Sequence, residues 1–414
     1  MVLKLHKPSE QISGKIYLPG SKSISNRILI IKALSDLSFA IKNLSDSDDT
    51  THLKDALDNY SVNRVINIGH AGTDMRFLTA FLSLKNNRYE LTGSERIKQR
   101  PIKDLVDVLK KIGAEIEYKN RDGFPPLIIK GKQLDGGKVE ISGSVSSQFI
   151  TSLLLVAPYF KNGLELTIIN ELVSKPYVNM TIELMKEFGA SVDWRDNTIS
   201  VKAIPYTYSK NEYTVESDWS AASYYYSLVA LSPVNTTLTL SGLFKNSLQA
   251  DSICETLYKS FGVSTEFLND EIVITKLNKP DANLFEYDFI KYPDIAQTVL
   301  CTCIGLNFPF KFTGLQTLKV KETDRIIALK KEVKKLGNDL TISENSIQSA
   351  NNYSTFSNQD ISIATYNDHR MAMSFTPLCL LYDSITIENA EVVSKSYPLF
   401  WEHIKQIGIN QSQL

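Results

Sequence analysis

Cysteine is scarce in this 414-residue chain. Its four copies, Cys254, Cys301, Cys303 and Cys379, include no Cys-x-x-Cys pair, which excludes a disulfide framework and a thiolate zinc site. A reducing, cytoplasmic location fits that usage. An excess of charge of one sign is also missing: 45 Lys+Arg face 46 Asp+Glu, a formal charge of -1. No global field is available to hold nucleic acid or an anionic membrane surface, so neither is expected as a partner. Any anionic ligand must be caught by local clustering. Long apolar runs are absent as well, since the strongest, Phe149 to Phe160, is broken by Thr151, Ser152 and Pro158 and is too short to cross a bilayer. Met1 to Ile16 is charged and has no apolar stretch of the kind a secretory signal needs.

What is present is size and repetition. At 46.5 kDa the chain exceeds one comfortable core, which argues for two domains or one unusually large one. A helix-like stretch, then Gly, then an alternating strand-like run recurs as LVDVLKKIGAEIEY, IELMKEFGASVDW, CETLYKSFGVSTEF and ALKKEVKKLGNDLTI, and more faintly as FWEHIKQIGIN. The glycines, at 113, 189, 262, 337 and 408, lie 76, 73, 75 and 71 positions apart. That period suits a small α/β module, and each Gly stands where a helix C-terminus calls for a left-handed residue. LKDALDNYSV, Leu53 to Val62, resembles a further copy but has Ser where Gly would stand. Five or six modules divide into two lobes of about three each, and the polar stretch Tyr206 to Ser217 is the candidate crossing between them.

Several segments place hydrogen-bond donors at helix starts, where free N–H groups and the helix dipole favour anions. LPGSKSISNR offers Lys22, Ser23 and Arg27 but lacks the spacing of a nucleotide phosphate loop. The alternative there is an N-cap with solvated basic residues. AGTDMR puts Arg76 in a helical first turn after Gly72, unfavourable against the dipole unless an anion lies between. A solvated Arg76, or one paired with Asp74, is the plainer reading. Arg96 and Arg100 follow, ahead of Pro101. GSVSSQF supplies Ser144, Ser146, Ser147 and Gln148, more hydroxyls than one cap consumes, and Ser174-Lys175-Pro176-Tyr177 precedes another helix. The second half adds Asp294 in YPDIAQTVL, then Lys321, Glu322, Asp324 and Arg325 in VKETDR, with Lys321 and Arg325 expected on one helical face. KETDR alone reads more readily as a salt-bridged helix start. Asn367, Asp368, His369 and Arg370 form the rarer YNDHRMAM.

Together and in this order, PGSKS-x-SNR, AGT-x-MR, SVSSQF, SKPY, VKE-x-DR and NDHRMAM resemble the enolpyruvyl transferase family, over nearly the whole chain from Gly20 to Lys395. The resemblance implies an α/β fold of two similar lobes, each built from three βαβαββ units. It implies a first lobe, residues 20–215, inserted after a short N-terminal strand, and a second lobe of 1–19 plus 216–414. It further implies an enzyme that transfers the carboxyvinyl group of phosphoenolpyruvate to the 5-hydroxyl of shikimate 3-phosphate, on the route to chorismate and aromatic amino acids. A monomer needing neither metal nor organic cofactor is the family expectation.

Carried over by position, Lys22, Ser23, Arg27, Ser146, Ser147, Gln148, Ser174, Tyr177, Asp294, Thr317 and Lys321 would meet shikimate 3-phosphate. Lys22, Gly72, Arg100, Gln148, Arg325, His369, Arg370 and Lys395 would meet phosphoenolpyruvate. Asp294 would accept the 5-hydroxyl proton, Glu322 would serve proton traffic at the methylene carbon, and Lys22 completes the catalytic set. Two ligands that each carry a carboxylate and a phosphate need many cations, and Arg forks suit both groups. Donors contributed by both lobes would imply a cleft that closes on its ligands.

His70 stands where Asn commonly precedes Ala-Gly-Thr, Phe77 where Pro often follows Met-Arg, and Thr317 where Asn is common. The resemblance also makes glyphosate the expected inhibitor. Two rivals stay in view. A relative acting on UDP-N-acetylglucosamine typically carries a reactive Cys in its first lobe, whereas every Cys here lies at or beyond 254. A catalytically silent anion-binding paralogue would have no need of both Asp294 and Glu322.

Overall fold

The computed structural model describes residues 1–35, 37–280, 283–350 and 360–414. The chain forms two compact units, Lys22–Val215 on the one hand and Met1–Ser21 with Glu216–Leu414 on the other. Each encloses its own apolar cluster.

One module explains most of both units. In the unit Lys22–Val215, strand Val65–Asn67 leads through helix Gly72–Leu82 to the parallel strand Arg88–Thr92. Helix Lys103–Lys111 then leads to the hairpin Glu115–Tyr118 and Leu127–Lys130, whose second strand pairs antiparallel with Arg88–Thr92. The order β-α-β-α-β-β gives a four-stranded mixed sheet. A second copy uses strands Gly137–Ser142, Leu164–Ile169, Val192–Arg195 and Thr198–Val201. The other unit holds three such four-stranded sheets, and the N-terminal strands Leu3–His6 and Gly14–Tyr17 each complete one of them.

Among the described residues the sixth sheet is reduced to two parallel strands, Glu212–Thr214 and Ala40–Lys42. Its module keeps helices Lys22–Leu34 and Asp48–Asn59 but not the closing hairpin. This accounts for the missing glycine. Gly113, Gly189, Gly262, Gly337 and Gly408 all have positive φ and follow the helix that precedes a strand, which in the first four begins a hairpin and in the last pairs with Leu3–His6. Helix Asp48–Asn59 ends instead at Tyr60 in right-handed geometry, because no hairpin has to be started there.

The strands alternate buried with partly exposed residues, as in Glu271–Lys276, so one sheet face meets the core and the other water. Several helices are buried all round, and all ten residues of Ala296–Gly305 and nine of ten in Ser147–Val156 are buried. A helix apolar on every face belongs inside, and the sheets therefore form the outer layer. No helix among the described residues is long and apolar enough to cross a membrane.

Gly262 shows how tightly the repeat is built. Its φ is +75°, and a Cβ there would lie 1.9 Å from the carbonyl oxygen of Asn278. Gly262→Ala is expected to lower the unfolding free energy by at least about 2 kcal/mol. Urea denaturation measures this, and an unchanged midpoint would show that the Asn278 segment yields freely.

Candidate functional site

In the unit Lys22–Val215 four helices are tied to one another at or near their starts, and a fifth is joined to them farther along. Lys22 Nζ, on the first residue of helix Lys22–Leu34, lies 2.9 Å from Asp49 Oδ2 at the start of helix Asp48–Asn59. One turn on, Asn26 donates to Asp74 Oδ1 at 3.0 Å and accepts from Thr50 Oγ1 at 2.7 Å. Gln148, second residue of helix Ser147–Val156, donates to Thr73 Oγ1 at 3.0 Å. Arg27 Nε donates to Thr181 Oγ1 at 2.8 Å, joining helix Lys175–Glu187. The positive ends of these dipoles gather at one place together with Lys22, Arg27 and Arg100, an arrangement that attracts anions.

The hydroxyls differ in what the fold leaves them to do. Ser146 is spent as a cap, accepting from Gln148 N at 3.2 Å. Ser147 is buried and Ser23 partly buried. Ser174 holds a left-handed φ of 57° at the start of helix Lys175–Glu187, yet its side chain makes no cap hydrogen bond. Tyr177 stands in the first turn of that helix, partly buried, with its carbonyl 3.4 Å from Arg27 Nη2.

Glycine at position 72 is a steric requirement. A Cβ there would come within 2.1 Å of Arg100 Nη1, so a side chain would push the buried guanidinium off the helix start. Arg76 is not solvated. It is buried, and it donates to the carbonyls of Gly72 at 2.8 Å and Pro101 at 3.1 Å with its guanidinium over Phe149. Arg27 behaves similarly. Burial lowers its pKa to about 9, so it stays charged at neutral pH, and Ser23 O at 2.7 Å takes one of its donors. Phe77 is buried beneath that guanidinium, 5.7 Å from it.

In the other unit the cations converge on three acids. Asp294 lies 3.3 Å from Lys321 Nζ, 3.7 Å from Arg325 Nη1 and 3.4 Å from Arg370 Nη2, and its carbonyl accepts from Arg370 Nη1 at 2.8 Å. Glu322 bridges Lys395 Nζ and Arg325 Nη2, both at 2.9 Å. Asp368 takes Arg325 Nε at 2.7 Å and caps the helix His369–Phe375 by accepting from Arg370 N at 2.9 Å. Burial would raise the pKa of Asp294, but Lys321, Arg370 and Arg325 outweigh it and hold the carboxyl well below the usual carboxylate range.

Lys321 and Arg325 do not share a helical face. The helix starts at Arg325, capped by Asp324 through Ile327 N at 3.2 Å, and Lys321 lies before it in extended geometry. Both nevertheless reach Asp294. Thr317 is buried, and its Oγ1 has no hydrogen-bond partner among the described residues. His369 is buried with Nδ1 3.7 Å from Asp368. The four cysteines are all buried in this unit, and burial pushes each thiol up.

Sequence reasoning assigned no site role to Asp49 or Asp368, although Asp49 pairs with Lys22 and Asp368 with Arg325. Asp368 stood inside a recognised motif. Asp49 looks like any acid in a helical first turn, which the dipole alone would explain.

The family model for EPSP synthase (3-phosphoshikimate 1-carboxyvinyltransferase) matches residues 6–64 and 58–404. Among curated proteins, the 3-phosphoshikimate 1-carboxyvinyltransferase of Bacteroides fragilis is 48% identical over 404 residues, covering 98% of this chain and 97% of its own. That of Haemophilus influenzae is 36% identical, covering 97% of this chain and 98% of its own. Among solved structures, an EPSP synthase from Acinetobacter baumannii superposes with a TM-score of 0.79 at 22% identity, covering all of both chains. The enolpyruvyl transferase NikO from Streptomyces tendae gives 0.77 at 15%, covering 99% of this chain and 98% of its own. These two likenesses establish the fold.

Asp294 carries a prediction of its own. Its folded carboxyl titrates below the unfolded value of about 4, so its contribution is complete above that value and is lost as pH falls toward the depressed one. Asp294→Asn should cost roughly 2 kcal/mol at pH 7, with the gap from the parent protein narrowing below about pH 4. Denaturation at a series of pH values checks this, and a gap independent of pH would show that the surrounding cations are not its source.

Proposed function

The chain belongs to the EPSP synthase (3-phosphoshikimate 1-carboxyvinyltransferase) family, and from this we propose that it transfers the carboxyvinyl group of phosphoenolpyruvate to the 5-hydroxyl of shikimate 3-phosphate. The observation that carries the reading is the pair Asp294 and Glu322, each bridged by cations in one network. Both acids offset buried cations, and the proposed reaction further needs two groups there that can move protons.

In the unit Lys22–Val215, Lys22, Ser23, Ser146, Ser147, Gln148, Ser174 and Tyr177 are assigned to shikimate 3-phosphate, and Lys22, Gln148, Gly72 and Arg100 also to phosphoenolpyruvate. Arg27 is also assigned to shikimate 3-phosphate, and it donates besides to the carbonyls of Ser23 and Tyr177. In the other unit Arg325, Arg370, Lys395 and His369 are assigned to phosphoenolpyruvate, with Lys321 and Thr317 assigned to shikimate 3-phosphate.

The reaction joins the 5-hydroxyl oxygen to the carbon that bears the phosphate while the methylene carbon gains a proton. The resulting tetrahedral intermediate then loses a methyl proton and phosphate. A carboxylate as strongly stabilised as Asp294 is a poor base while three cations surround it. The phosphate and carboxylate of phosphoenolpyruvate compete for the same cations, so ligand binding loosens their hold and raises the basicity of Asp294 where the hydroxyl proton must go. Glu322, released in part from Lys395 and Arg325 by the same competition, is placed to move the methylene proton. Carboxylates beside the reacting carbon also stabilise the positive charge that develops there.

The buried thiols weigh against the UDP-N-acetylglucosamine alternative, since none is available as an exposed reactive group. Phosphate release from phosphoenolpyruvate should depend on shikimate 3-phosphate; dependence on the UDP-sugar would overturn the reading. Asp294→Ala should lower kcat about 100-fold or more with a much smaller change in shikimate 3-phosphate affinity by calorimetry. Equal losses would leave Asp294 as a binding residue only. Lys22→Ala removes a charge assigned to both ligands and should raise both KM values, and unaltered kinetics would exclude Lys22 from the site.

A further inference from the structure

One stretch of backbone beside the cation cluster is strained. Tyr366 and Asn367 hold φ of 53° and 56° in succession, immediately before Asp368. Asn tolerates the left-handed region, but a bulky aromatic residue rarely enters it unless its surroundings dictate the conformation. The surroundings here are one carboxylate. Glu332, whose side chain is fully buried, accepts from Tyr366 OH at 2.7 Å and from Ala364 N at 3.0 Å, and pairs with Lys335 Nζ at 2.6 Å.

Glu332 and Arg325 lie seven residues apart on the helix Arg325–Lys335, two turns along one face. Arg325, at the helix start, grips Asp368 through two donors at 2.7 and 3.2 Å. The segment 364–368 is therefore held against a single helix at both ends, by Glu332 at residues 364 and 366 and by Arg325 at residue 368. The left-handed pair lies between the two grips. Arg370 follows directly and reaches Asp294, so a slip of this turn would shift Asp368 and Arg370 together.

We propose that Glu332 and Tyr366 are positioning residues for Arg325 and Arg370, holding the left-handed turn so that both cations keep their place around Asp294. Neither residue is among those assigned to a ligand. The hydroxyl of Tyr366 explains why a tyrosine, rather than a glycine, occupies a left-handed position: glycine would relieve the backbone but abandon the tether to Glu332. The proposal rests on the assignment of Arg325 and Arg370 to phosphoenolpyruvate.

Tyr366→Phe in the full chain tests it, because the partly buried ring still packs against the core and only the tether is lost. The KM for phosphoenolpyruvate should rise about tenfold, with that for shikimate 3-phosphate changed less than about twofold. A purely structural role would instead lower the melting midpoint and the active fraction while leaving both KM values alone, and that result, or an equal rise in both, overturns the proposal. Glu332→Gln should reproduce the selective rise; if it fails to fold, Tyr366→Phe decides by itself. Arg370→Gln is measured in parallel. If it leaves the phosphoenolpyruvate KM unchanged, the ligand assignment is refuted, whereas a large rise there with a silent Tyr366→Phe refutes only the positioning role.

Discussion

A guanidinium as deeply buried as that of Arg325, at 1% exposure, survives only if carboxylates replace the water it has lost. Asp368, Glu322 and Asp294 do so from three separate segments. Two of those acids are themselves shared, Asp294 with Lys321 and Arg370 and Glu322 with Lys395. Removing Arg325 would therefore leave buried acids without their charge partner and loosen every other cation in the cluster. The helix that starts at Arg325, the capped helix that starts at His369 and the short helix that bears Asp294 are held in register by this one charge.

The architecture supplies such places by its nature. Helices with no polar face must be covered on all sides, and sheets with one wet face can cover them. The helix ends cannot be made apolar, because their first N–H groups have no partner within the helix. Polar and charged residues consequently collect where the helices begin. In the unit Lys22–Val215 that collection is Lys22, Asp49, Asn26, Asp74 and Gln148, linked helix start to helix start.

Much of this was legible in the sequence because it depends on local rules. The repeated glycine marks a left-handed helix end before a hairpin, and the Ser61 position that lacks it belongs to the module with no hairpin. The donor-rich helix starts were visible as clusters of Ser, Lys and Arg next to apolar runs. What sequence could not supply was partner choice. Arg76 and Arg27 donate to backbone carbonyls and a threonine that no motif points to, because burial forces a charged group to find any acceptor near it. Glu332 lies in the middle of KKEVKK and reads as one more surface charge, yet its side chain is fully buried. Its role depends on a loop more than thirty positions away, and no local pattern encodes that distance.

The near-zero net charge takes on a different meaning from this arrangement. Lys22, Lys321, Arg325, Arg370 and Lys395, cations assigned to phosphate and carboxylate groups, are already paired with the protein acids Asp49, Asp294, Glu322 and Asp368. Those acids offset self-repulsion that would otherwise oppose folding, and they stand where ligand anions would compete. A site for two anions can thus be built into a neutral chain, provided each cation keeps a carboxylate until a ligand displaces it. Under the proposed assignment, the same exchange would make the acids reactive only in a loaded site, since losing a cation partner would restore basicity to Asp294. Charge balance and the burial of Arg325 are consequences of one pairing scheme, and the proposed activation of Asp294 would be a third.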